Sequence, residues 1–202
     1  MDPTVDALEV VLARLADVLD RVGPQDRSRP TPCSDWALGA LAGHVVGSTD
    51  AFAAVLAGDP GPVPARVPEA EATGSRQRDA ALRCVAGWRA PGARERTYVE
   101  VIELDGGVRI PPIPVDGALL ADIQLLDAGV HLHDLTRALG LPDLDDDAVQ
   151  AAARAGLASA RRVLQPGIRG LAGFGAPHEP PADATDVESL LAFAGRAPRA
   201  PG

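Results

Sequence analysis

Apolar residues recur along most of this chain at three- and four-residue spacing, the pattern of helices that turn one face to a core. Val5, Leu8, Val11, Leu12, Leu15, Val18, Leu19 and Val22 form the first such stripe, and Gly23-Pro24 ends it. A polar, Arg-rich stretch follows to Pro32. Ser34 or Asp35 can then cap a second helix over residues 36–56, with Trp36 in its first turn and Gly58-Asp59-Pro60 as its stop. Residues 59–74, rich in Pro and Gly, read as a surface loop, and a third helix fits 75–88, closed by Pro91-Gly92. Residues 97–102 are β-branched and alternating, Asp105-Gly106-Gly107 suits a turn, and 108–110 can pair back, so a β-hairpin is expected over 97–110. Asp116 can cap a fourth helix that ends near Gly140, with Pro142 just beyond. The acidic residues between Asp143 and Asp147 suit the start of a fifth helix reaching Leu164. From residue 166 to 202 the chain reads as a Gly/Pro-rich tail with one short helix over 187–193. The pattern predicts a mainly all-α fold, one domain over residues 1–202, built as a four-helix bundle with a small hairpin excursion.

Composition narrows the function. Hydrophobic residues are 46% of the chain and aromatics 3%, so the core must be built of Ala, Val and Leu, which suits close-packed helices. The net charge of −9 argues against binding nucleic acid or an anionic membrane. All 19 basic residues are Arg, which removes a P-loop lysine, a Schiff-base lysine and a Ser–Lys dyad. The start MDPTVDALEV lacks the basic-then-apolar plan of a signal peptide, and no run of about 18 apolar residues suggests a membrane span. Cys33 and Cys84 are too few for a disulfide framework, and a cytoplasmic protein with reduced thiols is expected.

The chemistry-bearing residues lie far apart in sequence. His44 sits in the second helix, whereas Asp127 and His131 stand four residues apart in the fourth, on one face and one turn apart. Two imidazoles and a carboxylate form a donor set for a divalent metal that keeps open positions. The competing reading makes His44 a hydrogen-bonded core residue and Asp127–His131 a surface pair. Asp127, however, is flanked by Leu125, Leu126, Ala128, Gly129 and Val130, poor company for a solvated charge, and a buried carboxylate needs a partner. Gly43 and Gly47 cost helix stability and make sense where another backbone or a bound group comes close. Asp134 shares the His131 face and can orient that imidazole or an incoming ligand, or pair with an Arg from the N-terminal region. His133 points about 200° away from His131. Cys33, just before the second helix, is expected as a packing residue in preference to a reactive thiol, and Cys84 as core.

Three segments carry a resemblance: TPCSDWALGALAGHVVG at 31–47, DAGVHLHDLTRALG at 127–140, and GFGAP with LLAFAGR between 173 and 196. Together they resemble the mycothiol-dependent maleylpyruvate isomerase family, in particular its single-domain actinobacterial members within the DinB-like metal-binding bundles. The resemblance implies a DinB-like four-helix bundle holding a divalent metal through His44, Asp127 and His131, zinc first, with nickel or iron as the other candidates. It also implies mycothiol as the thiol partner and an electrophilic small molecule as substrate, in a transferase or isomerase type of reaction. A zinc-like ion lowers the pKa of bound water to about 7 and deprotonates a bound thiol, and no side chain is assigned as catalytic in its own right. Two departures stand out. The family usually has Glu where this chain has the shorter Asp127, and Trp where it has His133. The full isomerase also carries a sterol-carrier-like C-terminal domain that contributes to its active site, so the isomerase reaction itself is not expected here. The alternative is a non-catalytic, regulatory metal-binding bundle, dimeric through an exposed helix face.

Overall fold

The computed structural model describes residues 2–33, 36–59, 66–100, 103–104, 108–109, 113–170 and 173–197. Six helices dominate: α1 Pro3–Leu19, α2 Leu38–Leu56, α3 Gly74–Trp88, α4 Gly117–Leu139, α5 Asp147–Val163 and α6 Asp186–Phe193. Side-chain caps set many of their ends. Asp2 accepts from the Thr4 amide, Thr73 from Arg76, Asp116 from Ala118 and Leu119, and Asp146 from Ala148 and Val149, each covering amides that the first turn leaves unbonded. Gly140 closes α4 in the left-handed conformation, φ 68°, that glycine adopts without strain. The second helix begins two residues later than its apolar pattern suggested. Its cap position is Ala37, which offers no side-chain acceptor, and Trp36 precedes the helix. The expected caps Ser34 and Asp35 lie outside the described residues.

α1 packs on α3 and α4, and α2 on the same two helices, so the four close a ring with α1 across from α2. Leu8, Leu12, Leu15, Leu38, Leu41, Leu120 and Leu125 fill its centre with no solvent exposure, each burial stabilising the fold by about 1.5–3 kcal/mol. α2 is long and apolar enough to cross a membrane by length and composition, contrary to expectation, yet 61% of that span is buried inside the bundle. α5 lies against α1 and α4, and α6 against α5. A second apolar cluster, from Leu126 and Val130 of α4 through Val149 and Ala153 of α5 to Leu190 and Leu191 of α6, holds this outer layer. The short helix expected over 187–193 is present as α6, and it packs against α5. An eight-residue helix is marginal alone, and Val187, Leu190 and Leu191 supply the burial that α6 needs.

The β excursion departs from the expected pairing. β1 Thr97–Glu100 pairs antiparallel with β4 Ile113–Asp116, opposite Val99 at Pro114, and β2 Glu103–Leu104 pairs with β3 Val108–Arg109. Pro114 lies within β4, and a strand with only one neighbour tolerates a missing amide. The Asp105-Gly106-Gly107 turn lies outside the described residues.

Candidate metal centre

Where α2 faces α4, the side chains of His44, Asp127 and His131 converge. A Cβ on Gly43 would sit 2.5 Å from the Val67 carbonyl oxygen, and the Val67 amide donates to the Gly43 carbonyl at 3.0 Å. The bare glycine thus lets the segment entering the 3-10 turn Glu69–Glu71 cross α2 beside His44. His44 Nε2 and His131 Nε2 each stand 3.3 Å from the same oxygen, Asp127 Oδ1. The two rings are nearly perpendicular at 83°, with centroids 5.1 Å apart. All three ligand atoms lie within 4.8 Å of one another. A tetrahedral ion bonded at about 2.0–2.1 Å holds its ligand atoms roughly 3.3–3.4 Å apart, and the two separations from Asp127 Oδ1 match that spacing. The shorter Asp127 side chain reaches both imidazoles, and Ser48, one turn after His44, donates to its other oxygen at 3.1 Å.

Charge in the site is strongly coupled. Burial pushes the Asp127 carboxyl up, but the facing His44 and His131 imidazoles outweigh it and hold it well below the usual carboxylate range. Burial pulls His131 down, and the Asp127 carboxylate reverses this, raising it well above an ordinary imidazole. This arrangement of charge favours a cation between these groups, a role that a proton or a metal ion can fill. Solvent reaches the site through His44 and Asp127, whose side chains are 19% and 26% exposed, while His131 is at 8%. Trp36, just before α2, covers one side: its ring centre lies 4.6 Å from that of His44 and 5.9 Å from that of His131.

Behind His131 lies a second polar layer. His131 Nδ1 stands 3.1 Å from Asp134 Oδ2, which fixes the ring so that Nε2 points at Asp127. Arg196 grips Asp134 with Nε at 3.0 Å and Nη2 at 2.9 Å, and both residues are buried. Burial pushes Asp134 up, but its bonds to His131 and Arg196 bring it down to about 2. Cys33 donates its S–H to Asp134 Oδ2 at 3.2 Å and lies 3.4 Å from Arg196 Nη2. Cys33, His131 and Asp134 also cluster closely enough to hold an ion. The Arg196 guanidinium already neutralises that group, which leaves the His44 side as the electrostatically open one.

The structure thus brings together His44, Asp127 and His131, with Asp134 immediately behind. The arginine that pairs with Asp134 comes from the C-terminal region, not the N-terminal one. Cys33, read as packing, touches the apolar core but also joins the polar layer. Cys84 is core, as expected, and burial pushes its thiol up to about 12. His133 faces away from His131, and burial, with Arg137 nearby, pulls its imidazole down to about 4. Sequence reasoning missed Ser48, Trp36 and Arg196. The first was legible, since residue 48 shares a helical face with His44; the other two rest on chain paths that no local pattern encodes.

Fold and site define a helical bundle carrying a solvent-reached group of two histidines and one aspartate able to hold a metal ion. The chain matches the mycothiol maleylpyruvate isomerase N-terminal domain over residues 8–136 and belongs to that family. It is also similar to two Mycobacterium tuberculosis proteins, uncharacterized protein MT0763 of strain CDC 1551 and uncharacterized protein Rv0738 of strain H37Rv. Each is 30% identical over 202 residues, covering 98% of this chain and all of the relative. No solved structure matches the chain. The family associates the chain with mycothiol chemistry, and the matched span contains every residue of the candidate centre except Arg196.

Proposed function

We propose that this protein is a zinc-dependent enzyme that uses mycothiol against an electrophilic small molecule, in a transferase or isomerase type of reaction. His44, Asp127 and His131 would hold the ion. When bound, such an ion acts as a Lewis acid and favours the thiolate form of a thiol ligand. The remaining work falls to the chain. Asp134 and Arg196 hold the His131 ring in register, Ser48 holds the second Asp127 oxygen, and Trp36 presents an apolar wall beside the two imidazoles. The observation that carries this reading is the pair of Nε2 atoms that share Asp127 Oδ1 at 3.3 Å while the site stays open to solvent. A closed structural zinc site would use four protein donors, whereas a site serving an exchangeable thiol keeps at least one position free.

Metal analysis and calorimetry on the purified full chain test it. Stoichiometric Zn²⁺ uptake that is lost in His44→Ala and in His131→Ala, followed by saturable mycothiol binding to the zinc-loaded protein alone, is the expected result. Wild-type protein that takes up neither Zn²⁺ nor Ni²⁺ would sink the metal centre. Metal uptake without mycothiol binding, and without turnover of a panel of electrophiles, would leave a regulatory metal-binding bundle in its place.

A further inference from the structure

On the opposite side of α4 from the metal-ligand group, α4, α5 and α6 enclose a cavity of about 320 Å³. That volume lies at the small end of the range for ligand clefts. Apart from His133, its walls lie beyond residues 8–136, the span that matches the family. Its interior is chemically divided. At depth stand His133, 4% exposed, and Arg196, 9% exposed, with the half-buried Arg137 beside them.

The cluster of His133, Arg137 and Arg196 in one cavity is the observation that calls for a ligand. His133 is almost wholly buried and lines the cavity beside two guanidinium groups. Arg137 uses Nη1 on the Ala197 carbonyl, and Arg196 uses Nε and Nη2 on Asp134, so each keeps a guanidinium nitrogen beyond those bonds. The walls are apolar, from Leu144, Val187, Leu191 and Ala192. The mouth is acidic, with the exposed Asp143, Asp145 and Glu188 around it.

We propose that this cavity is a second small-molecule site, for a zwitterion that sets a carboxylate against His133, Arg137 and Arg196, lays an apolar body on the walls, and leaves an ammonium at the acidic mouth. A plain anion would meet the three carboxylates on entry, and a plain cation would meet the arginines at depth. A molecule with separated opposite charges satisfies both ends. None of the three proposed metal ligands lines the cavity, and Arg196 is the one residue it shares with the polar layer behind His131.

The test uses the full chain and three probe series: the ω-amino acids γ-aminobutyrate, δ-aminovalerate and ε-aminocaproate, the matching unsubstituted carboxylates, and the matching alkylamines. Calorimetry should show saturable binding of at least one ω-amino acid, tighter than its singly charged counterparts by about tenfold or more, the scale of one charge-assisted hydrogen bond. Arg137→Met should lower that affinity by a similar factor, and Asp145→Asn, at an exposed position that leaves the fold intact, should weaken the ω-amino acid but not the plain carboxylate. Zn²⁺ uptake by Arg137→Met should equal that of wild type, which separates failure here from failure of the metal centre. No saturable heat with any ω-amino acid, equal affinity across the three series, or unchanged affinity in Arg137→Met would each overturn the proposal.

Discussion

Asp127 takes contacts from three side chains at once: both imidazoles converge on Oδ1 and Ser48 donates to Oδ2. The i,i+4 step from Asp127 to His131 was legible in the sequence, because helix geometry fixes it. The meeting with His44 was not, because it depends on α2 and α4 packing face to face. Asp134 is the residue whose role is easiest to isolate. Replacing it with Asn frees the His131 ring, and metal affinity should fall about 10- to 100-fold, the usual loss for a group that orients a ligand histidine. Its charge also leaves a mark on acid stability. Its folded-state pKa, about 2, lies below the ordinary carboxylate value, so the stability it confers is present above about pH 4 and is lost as pH falls through about 2. Urea melts of metal-free protein between pH 5 and 2 should therefore show a shallower loss in Asp134→Asn than in wild type. A parallel slope would mean that the carboxylate is not held as described. The two thiols should also differ. Cys84 is fully buried, donates to the Thr49 carbonyl, and is pushed up to about 12, whereas Cys33 is half-buried at the edge of the site. A thiol reagent on native protein should label Cys33 and reach Cys84 only after denaturation; two labels under native conditions would contradict this burial.

Element by element, caps and periodicity located the helices because those signals are local: Asp116 and Gly140 bracket α4 where the pattern placed them. Trp36 misled, since its apolar ring belongs to the site and not to a helical stripe, and β4 stayed hidden because a four-residue strand holding Pro114 carries little strand signal. The glycines of α2 and α4 make a sharper test of what each helix face meets. Ala is favoured over Gly in a helix by about 1 kcal/mol. At Gly43 that gain is opposed by the Val67 carbonyl, backbone that cannot step aside, 2.5 Å from the new methyl group. Gly43→Ala should thus destabilise the protein, by about 1–3 kcal/mol in line with overpacked cores. At Gly129 the nearest atom is a Leu190 methyl at 3.7 Å, an ordinary contact. Gly129→Ala should be neutral or stabilising by up to about 1 kcal/mol. Urea midpoints of the two variants decide it: the same sign for both would mean that propensity, not the crossing segment, governs α2.

Among the described residues, arginines join elements at two very different depths. Arg78 to Asp17 and Asp20, Arg89 to Glu9, and Arg154 to Asp186 tie helix pairs at the surface, where each bond is worth about 0–1 kcal/mol. Arg196 and Asp134 are different, because both partners are buried and the pair joins residue 196 to the helix that carries the candidate metal ligands. The C-terminal region looked like an appendage in sequence because Gly and Pro dominate it, and a single Arg within it carries no periodic signal. Breaking a buried pair from one side leaves the other charge without compensation and typically costs 3–5 kcal/mol. Arg196→Met should therefore destabilise the protein by about that much, and Asp134→Asn by somewhat less, since it strands the Arg196 guanidinium but keeps a hydrogen-bonding shape beside it. In the double variant no charge is left stranded, so its loss should fall well short of the sum of the two single losses. Strict additivity in the four urea curves of this cycle would show that residue 196 does not act on Asp134, and that the C-terminal region packs against the bundle through α6 alone.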